Sequence, residues 1–229
     1  MKLLTAVVVS GALTISLVAQ ADIEPARFVN GAIPVLPVMM TSRADVIVSA
    51  DVSETGRVTA VDVLRSTPPL TDAVVQAVRG WRFSPALDSM RKPMESRVLI
   101  DMVALAPSLY TPTVGTPPKD VAPPDPRIPF PAQTRTPLYP INARTEGTLV
   151  LEARVDPTGH VVGVTAVRSA PAFDAPGLDA VRGWTFRPAQ SPTAPPSTYV
   201  YVVMAFRQPL VGTSPPLGTS TPPPPTGKP

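Results

Sequence analysis

Leu149, Leu151, Ala153 and Val155 alternate with Val150, Glu152 and Arg154. A period of two predicts a half-buried strand. Asp156-Pro157-Thr158-Gly159 predicts a turn, and Val161 to Val167 a returning strand. Within that strand Val161, Val164 and Ala166 are spaced by three and then two residues, as are Val58, Val61 and Val63. The break in alternation predicts a bulge. A short helix follows. Thr71 and Asp174 are the expected N-caps, and Leu70 with Val75 and Phe173 with Leu178 have the spacing of a hydrophobic staple. Gly80 and Gly183 stand where the helices should end. Pro176-Gly177 predicts that the second helix is the shorter one. A third strand closes each pattern, at Arg97–Val103 and at Tyr199–Phe206.

These elements occur twice. Val78-Arg79-Gly80-Trp81-Arg82-Phe83-Ser84-Pro85-Ala86 returns as Val181-Arg182-Gly183-Trp184-Thr185-Phe186-Arg187-Pro188-Ala189, an offset of 103. Thr55-Gly56 maps onto Thr158-Gly159 and Arg65-Ser66 onto Arg168-Ser169 at the same offset. Aligned without a gap, Pro34–Val103 and Pro137–Phe206 share 20 identities in 70 positions. One register held across all these motifs marks an internal duplication.

Proline divides the chain. It supplies 33 of the 229 residues, with nine between Ala106 and Thr136 and eight between Gln208 and Pro229. Such stretches favour solvated, extended backbone. The expected fold class is α+β: two small ββαβ domains, each a three-stranded antiparallel sheet with one packed helix, joined by a proline-rich linker. The expected boundaries are a leader at 1–21, a first domain at 22–105, a linker at 106–130, a second domain at 131–207 and a tail at 208–229. The linker as a spacer implies that the domains fold separately.

The leader rests on Lys2, the apolar run Leu3–Val18 and Ala19-Gln20-Ala21, which together have the form of a cleavable export signal. Removal at Ala21 would release the protein into the periplasm, with Asp22 first. The competing expectation is a retained anchor in the inner membrane. The net charge of +3 includes no basic run, so no nucleic-acid partner is expected. The chain has no cysteine, which excludes thiol catalysis and cysteine-bound zinc.

The repeats resemble the TonB C-terminal domain family. The second carries the whole pattern: Tyr139-Pro140, Ala143, Gly147, Gly159, Ser169, Ala180-Val181-Arg182, Trp184, Phe186 and Pro188. The first keeps the later half, with Leu36-Pro37 and Ala44 at two of the earlier positions. The resemblance implies the periplasmic end of an energy transducer, which pairs a short segment of an outer-membrane receptor against a sheet edge. The cleavable leader and the second domain depart from the usual plan of an anchored transducer with one such domain.

Partner binding is therefore the expected function, with an outer-membrane TonB-dependent receptor or another envelope protein as partner. The expected contacts are Thr136, Leu138, Tyr139 and Pro140 before the second hairpin, and Tyr199, Tyr201 and Val203 on the third strand. Two observations select the second domain: its Tyr-Pro start, and an uncharged third strand where the first has Arg97 and Asp101. The family's usual glutamine is absent, with Thr136 in its place. A long apolar edge invites strand addition. The same pattern also suits deeper burial, or self-association through like strands. Two other readings stay open: a membrane-anchored transducer, and a structural envelope protein whose proline segments touch peptidoglycan. No catalytic residues, metal ligands or cofactor are expected. His160 reads as a surface residue, Arg79 and Arg182 as a solvated helix face, and Trp81 and Trp184 as core anchors.

Overall fold

The computed structural model describes residues 23–36, 43–105, 125–140, 143, 145–190 and 198–207, with the backbone of 114–115. The leader, most of the linker and the tail lie outside the described residues. In chain order the elements of the first half are β1 (Arg27–Asn30), β2 (Ala44–Val52), β3 (Val58–Arg65), α1 (Leu70–Arg79), β4 (Arg82–Ser84), β5 (Ala86–Leu87), β6 (Pro93–Met94) and β7 (Ser96–Leu105). Then come β8 (Val114–Gly115), β9 (Phe130–Arg135), β10 (Gly147–Val155), β11 (Val161–Arg168), α2 (Pro171–Arg182), β12 (Thr185–Arg187) and β13 (Thr198–Phe206).

The fold is α+β, but the repeats do not build two separate sheets. The long strands form one six-stranded sheet in the order β11-β10-β13-β7-β2-β3. Each half is antiparallel. The third strands, β13 and β7, pair parallel at the centre, from Val200 beside Leu99 to Phe206 beside Leu105. A palindromic order with a parallel seam relates the halves by rotation about an axis along the strands. That operation exchanges the faces of the sheet, so the helices lie on opposite sides. Leu70, Val74 and Val78 of α1 enter one core, and Phe173, Ala180 and Val181 of α2 enter the other.

Each core borrows from the other repeat. The first takes Val150, Tyr201, Val203 and Ala205. The second takes Ile47, Leu99, Val103 and Leu105. Part of the expected linker is also packed: Ile128 and Phe130 are buried in the second core. Nothing in this arrangement keeps the repeats apart as separately folded units.

The local signals have mixed outcomes. Both hairpins form, and register shifts leave Thr59 and Leu64 unpaired in β3 and Val162 and Val167 in β11, so the bulges recur at matching positions. Gly56 and Gly159 take φ of +75° and +88° at the hairpin turns. A Cβ there would lie 1.8 Å from the Phe83 carbonyl oxygen and 1.9 Å from that of Phe186. Only glycine tolerates both constraints. Both tryptophans are buried, and their indole N–H groups donate to Ala32 O at 2.9 Å and Arg135 O at 3.0 Å.

The caps differ from expectation. α1 starts after Pro69 and α2 after Ala170, neither with a side-chain cap. Thr71 and Asp174 lie inside the helices and brace the entering chain, accepting the Thr67 and Ala170 N–H groups at 2.9 and 2.8 Å. α2 is also the longer helix, 12 residues against 10. Pro171 suits the first helical position and starts it early, while Pro176 forgoes one backbone bond without ending it. The ungapped alignment fails in the third strand. Ala44 faces Ala104 and its counterpart Gly147 faces Phe206, so β7 and β13 correspond at an offset of 102. Several short strands have no counterpart in the sequence pattern, among them β1, which pairs with β4, and β9, which pairs with β12.

Candidate partner-binding surface

The strand expected to offer a free edge lies at the centre of the sheet. β13 pairs with β10 on one side and β7 on the other. Tyr201 and Val203 are fully buried, facing the first core. Neither can meet a partner, and Tyr199 belongs to the same doubly paired strand. The physical reason is that β13 is covered on both faces and bonded on both edges. Such a strand has no polar side, and its sequence looks like a long apolar edge.

The expected residues separate into two places. Tyr139 packs its ring against Phe173 at 5.8 Å and Phe206 at 6.2 Å, on the second core. Its hydroxyl is buried with no hydrogen-bond partner among the described residues, and burial, followed by the charge of Glu146, raises its pKa above the ordinary phenol value. Thr136 accepts a hydrogen bond from Arg43 of the first repeat at 2.7 Å. Leu138 is 60% exposed and Pro140 half-buried.

Tyr199 and Tyr201 instead join a lock between the repeats. Arg27 of β1 clamps the buried Glu152 carboxylate with Nε at 2.7 Å and Nη2 at 2.5 Å, and its guanidinium lies 4.2 Å over the Tyr199 ring. The Tyr201 hydroxyl bonds Glu152 at 3.1 Å and accepts the Phe28 N–H at 2.9 Å. Burial and the Glu152 charge push the Tyr201 phenol well above its usual range.

A second polar cluster pins the chain that enters β9. Arg97 bonds Asp51 at 2.6 and 2.9 Å and Asp125 at 3.0 Å, and pairs with Asp62 at 3.1 Å. Asp125 also accepts from Arg127 at 2.8 Å. Arg127, then Arg97, hold its carboxyl at about 2, below the usual carboxylate range. Beside this cluster is a cleft of about 380 Å³, lined in part by Ile23, Met94, Ile128 and Tyr199.

The outer strands β3 and β11 end the sheet. They differ in chemistry. β3 contains Asp62, paired with Arg97, and Arg65, paired with Asp45. β11 has no charge before Arg168, and Val162 is 48% exposed. No group of three or more His, Asp or Glu residues able to hold a metal occurs among the described residues. His160 sits exposed in the hairpin, its Nδ1 2.8 Å from the Thr158 hydroxyl and its backbone N–H donating to Asp156 Oδ1 at 3.0 Å. These are contacts within a turn. Among the described residues no helix is long and apolar enough to cross a membrane.

The family model of the Gram-negative bacterial TonB protein C-terminal domain matches residues 38–102 and again residues 135–207, together more than half of the chain. The chain belongs to the TonB C-terminal family. No curated protein and no solved structure matches it. As a TonB-family protein it is associated with the cell envelope and its transport. The two TonB matches coincide with the halves of the palindromic sheet. What sequence reasoning missed in this TonB pair is Arg27 and Glu152, a charge pair 125 residues apart. One signal was available: Glu152 is the only acid on an otherwise buried stretch of β10.

Proposed function

We propose that this protein is a non-enzymatic binding partner in the envelope, which takes up an extended segment of an outer-membrane receptor or other envelope protein by strand addition at an outer edge of its sheet. One observation carries the reading. The third strands β7 and β13 occupy each other, so the strands with an outer edge unpaired among the described residues are β3 and β11. Backbone N–H and C=O groups at such an edge supply affinity, and alternate side chains supply selectivity. The uncharged β11 suits an incoming strand better than β3, whose Asp62 and Arg65 are already engaged.

The test is titration of extended receptor segments into the isotope-labelled full chain, read by amide NMR. Shifts confined to Val161–Arg168, with Val58–Arg65 unaffected, are the expected result. Shifts only at the helices, or none with any receptor segment, would overturn it.

A further inference from the structure

Beside the β11 edge, β10 carries a cation at a position where its repeat counterpart carries an acid, Asp51. Arg154 of β10 is exposed and stands opposite Gly163 of β11. On its other side it stands opposite Tyr199, whose ring is already covered by the Arg27 guanidinium. Gly163 leaves the opposite direction open: a Cβ built there would lie 3.9 Å from Arg154 Nε and 4.0 Å from Nη2. The guanidinium thus leans across the last strand toward the free edge. Among the described residues no acid pairs with Arg154.

In the first repeat the same positions hold Asp51 opposite Ala60. Asp51 is held by Arg97, and Ala60 fills the gap that Gly163 leaves. The bulges at Val162 and Val167 leave Gly163–Ala166 as the regular part of the β11 edge. A residue docked opposite Gly163 would point to the same face as Arg154, with its Cβ about 4.5–5.5 Å from the Gly163 site.

We infer that Arg154, reaching over Gly163, selects an acidic partner: an extended segment with a carboxylate side chain opposite Gly163. Arg168, exposed at the end of β11, adds positive charge and no repulsion to such a segment. The inference rests on strand addition at β11 as the mode of binding, and adds the chemistry of the occupant. A guanidinium–carboxylate pair at a partly exposed edge should change affinity roughly fivefold.

The probes are three capped eight-residue peptides that alternate valine and threonine, with glutamate, glutamine or lysine at the fourth position. Each carries a terminal spin label and is titrated into the labelled full chain. The glutamate peptide should bind roughly fivefold more tightly than the glutamine peptide, and broaden the amides of Val161–Arg168. Arg154→Gln should erase that difference, and Arg154→Glu should favour the lysine peptide. Because Arg154 is exposed, both variants should keep the fold, as checked by circular dichroism. Binding at β11 with equal affinities and no effect of Arg154→Gln would overturn the acidic preference but leave strand addition intact. No binding at β11 by any peptide would overturn both.

Discussion

Tyr201 lies beside Ile100 across the seam, one residue away from its repeat counterpart Leu99. Side-by-side residues in a pleated sheet point to one face. The slip of one therefore turns Tyr201 into the first core and Leu99 into the second. Two copies of one strand can share a parallel seam and still serve opposite helices only with an odd offset.

It follows that neither repeat is complete alone. The segment 125–207 taken in isolation would expose Tyr201, Val203 and Ala205 on one face and the full edge of β13. It should associate through that strand or lack a cooperative transition, whereas the full chain melts as one unit. Size-exclusion chromatography with thermal melts checks this. A monomeric segment melting like the full chain would count against the shared core.

Asp101 stands in the seam between Ile47 and Val202, fully buried, with no donor to either carboxylate oxygen among the described residues. Burial first, and Asp45 beside it second, raise its pKa well above the ordinary range, against the weaker pull of Arg65 and Arg43. The folded state thus keeps a proton that the unfolded chain releases above about pH 3.9. This contribution is complete below that pH and declines as pH rises toward the folded value. Asp101→Asn should flatten the decline and be more stable than the parent at pH 8 by about 1–3 kcal/mol. Denaturant melts from pH 5 to pH 8 measure the difference.

Asp125 has the opposite sign. Its folded pKa of about 2 lies below the unfolded value, so its contribution is present at neutral pH and lost as pH falls from about 4 through 2. Asp125→Ala should release the chain that enters β9. Tryptic cleavage after Arg127 should become roughly five- to tenfold faster at neutral pH, for about 1 kcal/mol of local stability. Amide hydrogen exchange of the same segment should show far less effect of the substitution at pH 2.

Gly159→Ala combines a left-handed backbone with a contact at the Phe186 carbonyl. It also disturbs the 2.7 Å bond from the Phe186 N–H to Gly159 O. Strain alone should cost about 1–3 kcal/mol. Gly163→Ala, where φ is negative and the nearest atom is Arg154 at 3.9 Å, should fold as well as the parent. A pair of thermal melts separates the two glycines.

Trp184→Ala should cost about 3–5 kcal/mol, because it empties the second core and strands the Arg135 carbonyl. The measurement is denaturant unfolding at neutral pH, and a loss below about 1 kcal/mol would show that the site collapses around the gap.

The sequence by itself determined the hairpins, a bulge in each second strand, the helices and the burial of Trp81 and Trp184. Each depends on residues near in sequence: an alternation, a turn glycine, an aromatic pair two residues apart. The resemblance to the family pointed to Thr136, Leu138, Tyr139 and Pro140, just ahead of the second hairpin. Only the tertiary structure decided what lies to either side of a strand. Side-chain periodicity reports which faces of a strand are covered, while edges are satisfied by backbone groups that every sequence carries. Tyr199–Phe206 therefore read equally well as a free edge and as the middle of a sheet, and nothing local to Asp101 indicates that it is sealed in the seam. β1 and β9 were hidden for a related reason: each is short, and its pairing strand is more than fifty residues away.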